Sequence, residues 1–153
     1  MEGNLSKHLS WREFTATQHR QFLEENENPP QEVIDRALRF AEEVFEPARL
    51  KVGPLYISSG YRCPTLNAAI GGAGKSAHMF GAAVDCYPMR MGLKEAYIKI
   101  AESDIPFDQI IYEYGRWIHL GGVRGNYAPR HERFMIFKPG EYLFFDADDS
   151  RVK

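Results

Sequence analysis

Cysteine is scarce in this chain: only Cys63 and Cys86 occur in 153 residues. They do not form a CxxC pair, so neither a dithiol redox motif nor a zinc ribbon is present. With no leader in view, both are expected as free thiols. Charge of one sign is missing too. A formal net charge of −2 gives no electrostatic ground for binding nucleic acid or an anionic membrane. The acidic residues Asp146, Asp148 and Asp149 read as a solvated tail. No apolar run is long enough to span a bilayer. Residues 1–9 hold no apolar stretch with a cleavage site, so no secretory signal is read. The chain is therefore expected in the cytoplasm as synthesised, with neither nucleic acid nor membrane insertion among its partners. Internal repeats, low-complexity segments and linkers are also lacking. The length fits one domain over residues 1–153, large enough for a core of its own.

What is present is an alternation of helical and strand patterns. Ser10-Trp11-Arg12-Glu13 fits a capping box and predicts a helix running towards Asn26. Apolar residues at Val33, Ile34, Ala37, Leu38, Ala41, Val44 and Phe45 form a one-sided helical stripe, and Pro47 is expected to end it. Strands are expected over 55–58, 81–87, 107–112 and 117–120, with a helix over 93–102. A last hairpin is expected over 134–137 and 142–145, around Pro139-Gly140. Helices first and adjacent strands later point to α+β with a largely antiparallel sheet.

Glycines collect after the first long strand, at Gly60, Gly71, Gly72 and Gly74. Their spacing fits neither a Walker loop nor a dinucleotide fingerprint. A loop packed tightly beside a site accounts for them better. The site itself is read from Ser76 to Asp85. His78 and Asp85 stand seven residues apart with small residues between them, and His119 follows in Trp117-Ile118-His119. Two imidazoles and one carboxylate are the three protein ligands that a catalytic zinc uses. Asp85 lies inside an otherwise apolar strand, where a lone carboxylate is costly unless something compensates it. The same donors fit non-haem iron, but the surrounding motifs favour zinc. Cys86, next to Asp85, faces the other way on a strand and is a poor ligand. His8 and His19 read as surface or packing residues, and His131 as part of a solvated charge run.

Ser58-Ser59-Gly60-Tyr61-Arg62, Asn67, Gly71-Gly72, Ser76-x-His78-x-x-Gly81-x-Ala83-x-Asp85, Phe107-Asp108-Gln109-Ile110-Ile111-x-Glu113 and Trp117-Ile118-His119 together resemble the zinc D-Ala-D-Ala carboxypeptidase family. That family includes L-alanyl-D-glutamate endopeptidases of phage lysis systems. The resemblance runs from about Ser10 to Phe137. It implies a Hedgehog/D,D-peptidase-like fold, a small antiparallel sheet with helices packed on it. It implies one Zn²⁺ per chain on His78, Asp85 and His119, with Arg62 stabilising the oxyanion. Ser76 would contact substrate or support the ligand loop. The implied substrate is the stem peptide of peptidoglycan, cut as a carboxypeptidase or as an endopeptidase, in the manner of a phage or prophage endolysin.

The resemblance breaks at one position. Many members carry an acid three residues before the last histidine ligand, where this chain has Arg116. Glu113 is the nearest acid and is taken as the general base, with Asp108 in reserve. Strand register decides whether Glu113 faces the site. A two-residue turn would set it opposite Ile118, on the wrong face; a three-residue bulged loop would pair it with His119. A module of the same fold that keeps zinc without hydrolysis is the alternative class. An active wild type beside a dead Glu113→Gln variant that retains zinc would discriminate against it.

Overall fold

The structure, a computed structural model, describes residues 1–152. A short antiparallel pair, β1 (Asn4–Ser6) and β2 (Leu9–Ser10), leads into α1 (Trp11–Thr15). The capping box forms: the Glu13 N–H donates to Ser10 Oγ and the Ser10 N–H to the Glu13 carboxylate. The helix then stops at Thr15, short of the expected Asn26. Extended backbone at Ala16 is followed by a 3-10 turn (Arg20–Phe22) and the single turn α2 (Leu23–Asn26). Buried Asn26 holds this break. Its amide donates to Thr15 O and Tyr61 O, and its Oδ1 accepts from the Cys63 N–H at 2.8 Å.

The amphipathic stripe builds α3 (Gln31–Phe40) and passes through one π turn (Ala41–Phe45) into α4 (Glu46–Val52). Pro47 therefore does not end the helix. A proline lacks the N–H of the α-ladder and clashes with the preceding turn, and the wider π turn just before it relieves both problems. Gly53, at φ 79°, ends α4. After β3 (Leu55–Ser59), residues Pro64–Ala69 form a short helix, α5, where only a loop was expected. Then come β4 (Ala83–Pro88), α6 (Leu93–Ala101), β5 (Gln109–Glu113), β6 (Trp117–Gly121), β7 (Glu132–Ile136) and β8 (Tyr142–Phe144).

The main sheet runs β3-β4-β6-β5-β7-β8. It is mixed, so the expected mostly antiparallel sheet fits in part: β5 and β7 pair in parallel, while the other neighbours are antiparallel. The cause lies in the segment 122–131. It carries the chain from the end of β6 past the start of β5, so that β7 begins beside Gln109. Asp108 holds that crossing, its carboxylate accepting from the Arg130 backbone N–H, the Arg130 guanidinium and Tyr127 Oη.

Strand alternation divides the sheet into two faces. Val84, Cys86, Ile110, Tyr112, Ile118 and Leu120 join the main hydrophobic core with Phe40, Phe45, Tyr97 and Ile100 of the helices. The Tyr97 and Tyr112 rings meet edge to face at 5.5 Å. Asp85, Ile111, Glu113, Trp117 and His119 occupy the opposite face. Both cysteines are free and buried. Burial pushes the Cys86 thiol well above its ordinary range, so it remains protonated. No helix among the described residues is long and apolar enough to cross a membrane.

Candidate metal centre

Three elements bring the site together. Asp85 on β4 lies directly opposite His119 on β6, so both side chains leave the same face of the sheet. His78 stands in the tight turns before β4 and reaches in from the side. One donor atom from each of His78, Asp85 and His119 lies within 4.8 Å of the others, a group that could hold a metal ion.

His78 Nδ1 is 2.7 Å from Gly60 O. A carbonyl only accepts, so Nδ1 carries the proton and Nε2 presents its lone pair to the centre. That Nε2 is 3.3 Å from Asp85 Oδ1, and His119 Nδ1 is 3.1 Å from the same oxygen. Two ring nitrogens thus face one carboxylate oxygen. Asp85 is largely buried, with 18% of its side chain exposed. Burial alone would raise its pKa, but His78 and His119, when protonated, hold it well below the usual carboxylate range by charge and hydrogen bonding.

Gly60 has a second reason to lack a side chain. A Cβ there would stand 2.2 Å from Phe14 O, because the Tyr61 N–H donates to that same carbonyl at 2.7 Å. Gly60→Ala is expected to cost about 1–3 kcal/mol through overpacking and to weaken metal binding by moving the acceptor that orients His78. Thermal melts and zinc titration of the variant check this; unchanged values in both would dissociate Gly60 from the centre.

Glu113 reaches the same face by a register that differs from both expected ones. Tyr114 and Gly115 adopt positive φ, at 57° and 68°. The Arg116 N–H closes the turn on Glu113 O, and Arg116 is the extra residue. Glu113 then pairs with Trp117, and Ile111 with His119. Glu113 and His119 therefore share a face two positions apart. Burial raises the Glu113 pKa to about 7, with Asp85 adding to the rise while His119, Arg62 and Trp117 oppose it. Trp117 Nε1 acts through proximity: it is buried and makes no hydrogen bond of good geometry among the described residues.

Arg62 is tied to the metal-side loop. Its backbone N–H donates to His78 O, and its Nη1 to Asn67 Oδ1 at 3.1 Å. A Cβ at Gly72 would stand 2.2 Å from Asn67 Oδ1 and 2.8 Å from Arg62 Nη1, so that glycine makes room for the guanidinium. Burial lowers the Arg62 pKa, against the pull of Asp85 and Glu113. Its Nε is buried without a partner among the described residues. Ser76 Oγ accepts from the His78 N–H at 3.3 Å.

Other sequence candidates fall away. The Asp108 carboxylate is occupied by Arg130 and Tyr127, which leaves it no part as a base. His131 is not a solvated charge: its ring stacks on Phe107 at 3.9 Å and its Nε2 meets Ser103 O at 3.0 Å. His8 pairs with Glu46 at 2.9 Å. The roles of Gly60 O and Asn26 escaped the sequence, since a backbone acceptor and a clasp across 37 residues leave no local pattern.

Two clefts meet here. One, of about 480 Å³, is lined by the three candidate ligands together with Glu113, Trp117 and Arg62. The other, of about 530 Å³, runs along Tyr56–Ser59 of β3 and past Thr17–His19, and it shares Arg62 and Asp85 with the first.

A search of curated protein sequences finds no match. The model of the family described as Peptidase M15 matches residues 7–121, about three quarters of the chain, and the matched span contains His78, Asp85, Glu113 and His119. The chain belongs to the M15 peptidases, the zinc D-Ala-D-Ala carboxypeptidase family.

Proposed function

We propose that this protein is a zinc peptidase that cuts an internal bond of the peptidoglycan stem peptide, with one zinc per chain on His78, Asp85 and His119. One observation carries the reading: two imidazole nitrogens converge on a single carboxylate oxygen inside a cleft that also holds a half-buried acid and a half-buried guanidinium. The donor set of two nitrogens and one oxygen suits a zinc that keeps a position open. Gly60 fixes His78 in the tautomer that such a ligand requires.

Zinc held there supplies Lewis acidity and lowers the pKa of a water from about 15.7 to about 7. The remaining work falls to side chains. Glu113, with its pKa raised to about 7, is matched to taking a proton from the attacking water and handing it to the leaving amine. Arg62 offsets the negative charge that develops on the scissile carbonyl oxygen. Ser76 supports the ligand loop through the His78 N–H.

A cleft on each side of Arg62 and Asp85 supports an internal bond, with room for substrate on both sides. The test is digestion of purified peptidoglycan by the zinc-loaded protein, read by mass spectrometry and amino-terminal labelling. New internal amino termini are expected. Release of D-Ala alone would assign carboxypeptidase action instead, and release of neither would sink the peptidase reading.

A further inference from the structure

We infer that Lys75 and Arg124 form an anion subsite that holds a free carboxylate of the substrate; this rests on the peptidase reading above. Both residues line the cleft of the candidate metal centre. Both also line a smaller adjoining hollow of about 230 Å³, with Arg130, Tyr127, Phe80 and Gly125, and no acid lines that hollow.

Among the described residues the lining of this hollow is cationic, and one of its three cations has an acid partner. Arg130 is held by Asp108 at 2.7 Å, Arg39 by Glu43 at 3.1 Å and Arg151 by Asp149 at 2.7 Å. Among the described residues neither Lys75 nor Arg124 forms an ion pair. The Arg124 guanidinium meets only a neutral acceptor, the Lys75 carbonyl, at 2.5 Å. The acids of the cleft are all otherwise engaged: Asp85 with the histidines, Asp108 with Arg130, and Glu113 as the base.

Two cations lining one cleft attract an anionic substrate group, which gains charge-assisted hydrogen bonds from them. Hydrogen bonds place the Arg124 side of the subsite, while the Lys75 side chain is exposed. Arg124 Nη1 ties its own loop to the loop of Lys75. The Arg124 N–H donates to Tyr127 Oη at 3.2 Å, and that hydroxyl donates to Asp108 Oδ2 at 3.0 Å.

A stem peptide has two sources of such a carboxylate, the α-carboxyl of its γ-linked D-glutamate and its C-terminus. The experiment uses L-Ala-γ-D-Glu-L-Lys-D-Ala-D-Ala with all carboxyls free, and the same peptide amidated at one position or the other. KM is measured on the zinc-loaded wild type and on Lys75→Gln and Lys75→Arg. Kd is measured by calorimetry on the full chains after chelation, which needs no turnover.

One of the two amidations is expected to raise KM and Kd about tenfold in wild type, the size of one charge-assisted contact. The amide that does so identifies the source. In Lys75→Gln the difference between free and amidated peptides should shrink, and Lys75→Arg should restore it. Indifference of wild type to both amidations overturns the subsite, as does a Lys75→Gln variant that weakens free and amidated peptides equally. If no peptide is hydrolysed, the peptidase reading fails separately, and the Kd series still decides the subsite.

Discussion

Chelation is expected to lower the melting temperature of this protein by roughly 10 °C, and stoichiometric zinc to restore it. The size follows from linkage: ligand at about 1,000 times its Kd stabilises by about 4 kcal/mol, and a chain of this length shifts by about 2–4 °C per kcal/mol. The direction follows from the site, where one carboxylate oxygen faces two imidazole nitrogens and a cation between them satisfies all three. His119→Ala is expected to abolish both the zinc shift and hydrolysis. His78→Ala should do the same and, in addition, destabilise the zinc-free protein by about 1–3 kcal/mol, because Gly60 O loses its buried donor. The gap between the two variants without zinc is thus a second measurement, independent of activity. A zinc shift that survives in His119→Ala would remove this residue from the centre.

The grouping of the three candidate ligands was legible because their spacing reports topology. An aspartate inside an apolar run marks a strand that must turn one polar side chain towards something. A later histidine beside Trp117 supplies the neighbouring strand, and the two prove to be cross-strand partners. The helical stripe of Val33 to Phe45 was legible for the same reason, since periodicity is local. What stayed hidden depends on contacts far apart in the chain. The parallel pairing of β5 and β7 follows from how Asp108 gathers Arg130 and Tyr127, and no periodicity announces that. The passage of the helix through Pro47 needed a π turn that the stripe does not encode. The face of Glu113 turned on one extra residue, Arg116, in the hairpin. A one-residue change of register moves a whole strand to the other face, so pattern alone could not choose.

Glu113→Gln is expected to lower kcat by about 10²–10⁴-fold while zinc content stays equal to wild type. Glutamine keeps the shape of the side chain and removes only its ability to take a proton. The fold carries an independent signature of the same residue. Burial raises the Glu113 pKa to about 7 from an ordinary 4.5, so the folded state holds this proton more tightly than the unfolded state. The stability gained that way is fully present below pH 4.5 and is lost as pH rises through about 7. Above pH 7 the zinc-free wild type therefore carries a buried carboxylate at a cost of up to roughly 3 kcal/mol, taking 1.36 kcal/mol per pH unit for a rise from 4.5 to about 7. The glutamine variant avoids that cost. Its zinc-free form should melt above wild type at pH 8, and the margin should shrink towards pH 4.5. A variant more stable than wild type at pH 8, loaded with zinc and catalytically dead places the loss in proton transfer and not in folding or metal binding. A kcat within tenfold of wild type would move the base elsewhere. Asp108 is already committed to Arg130 and Asp85 to the histidines, so no other acid lining the cleft is free to take its place.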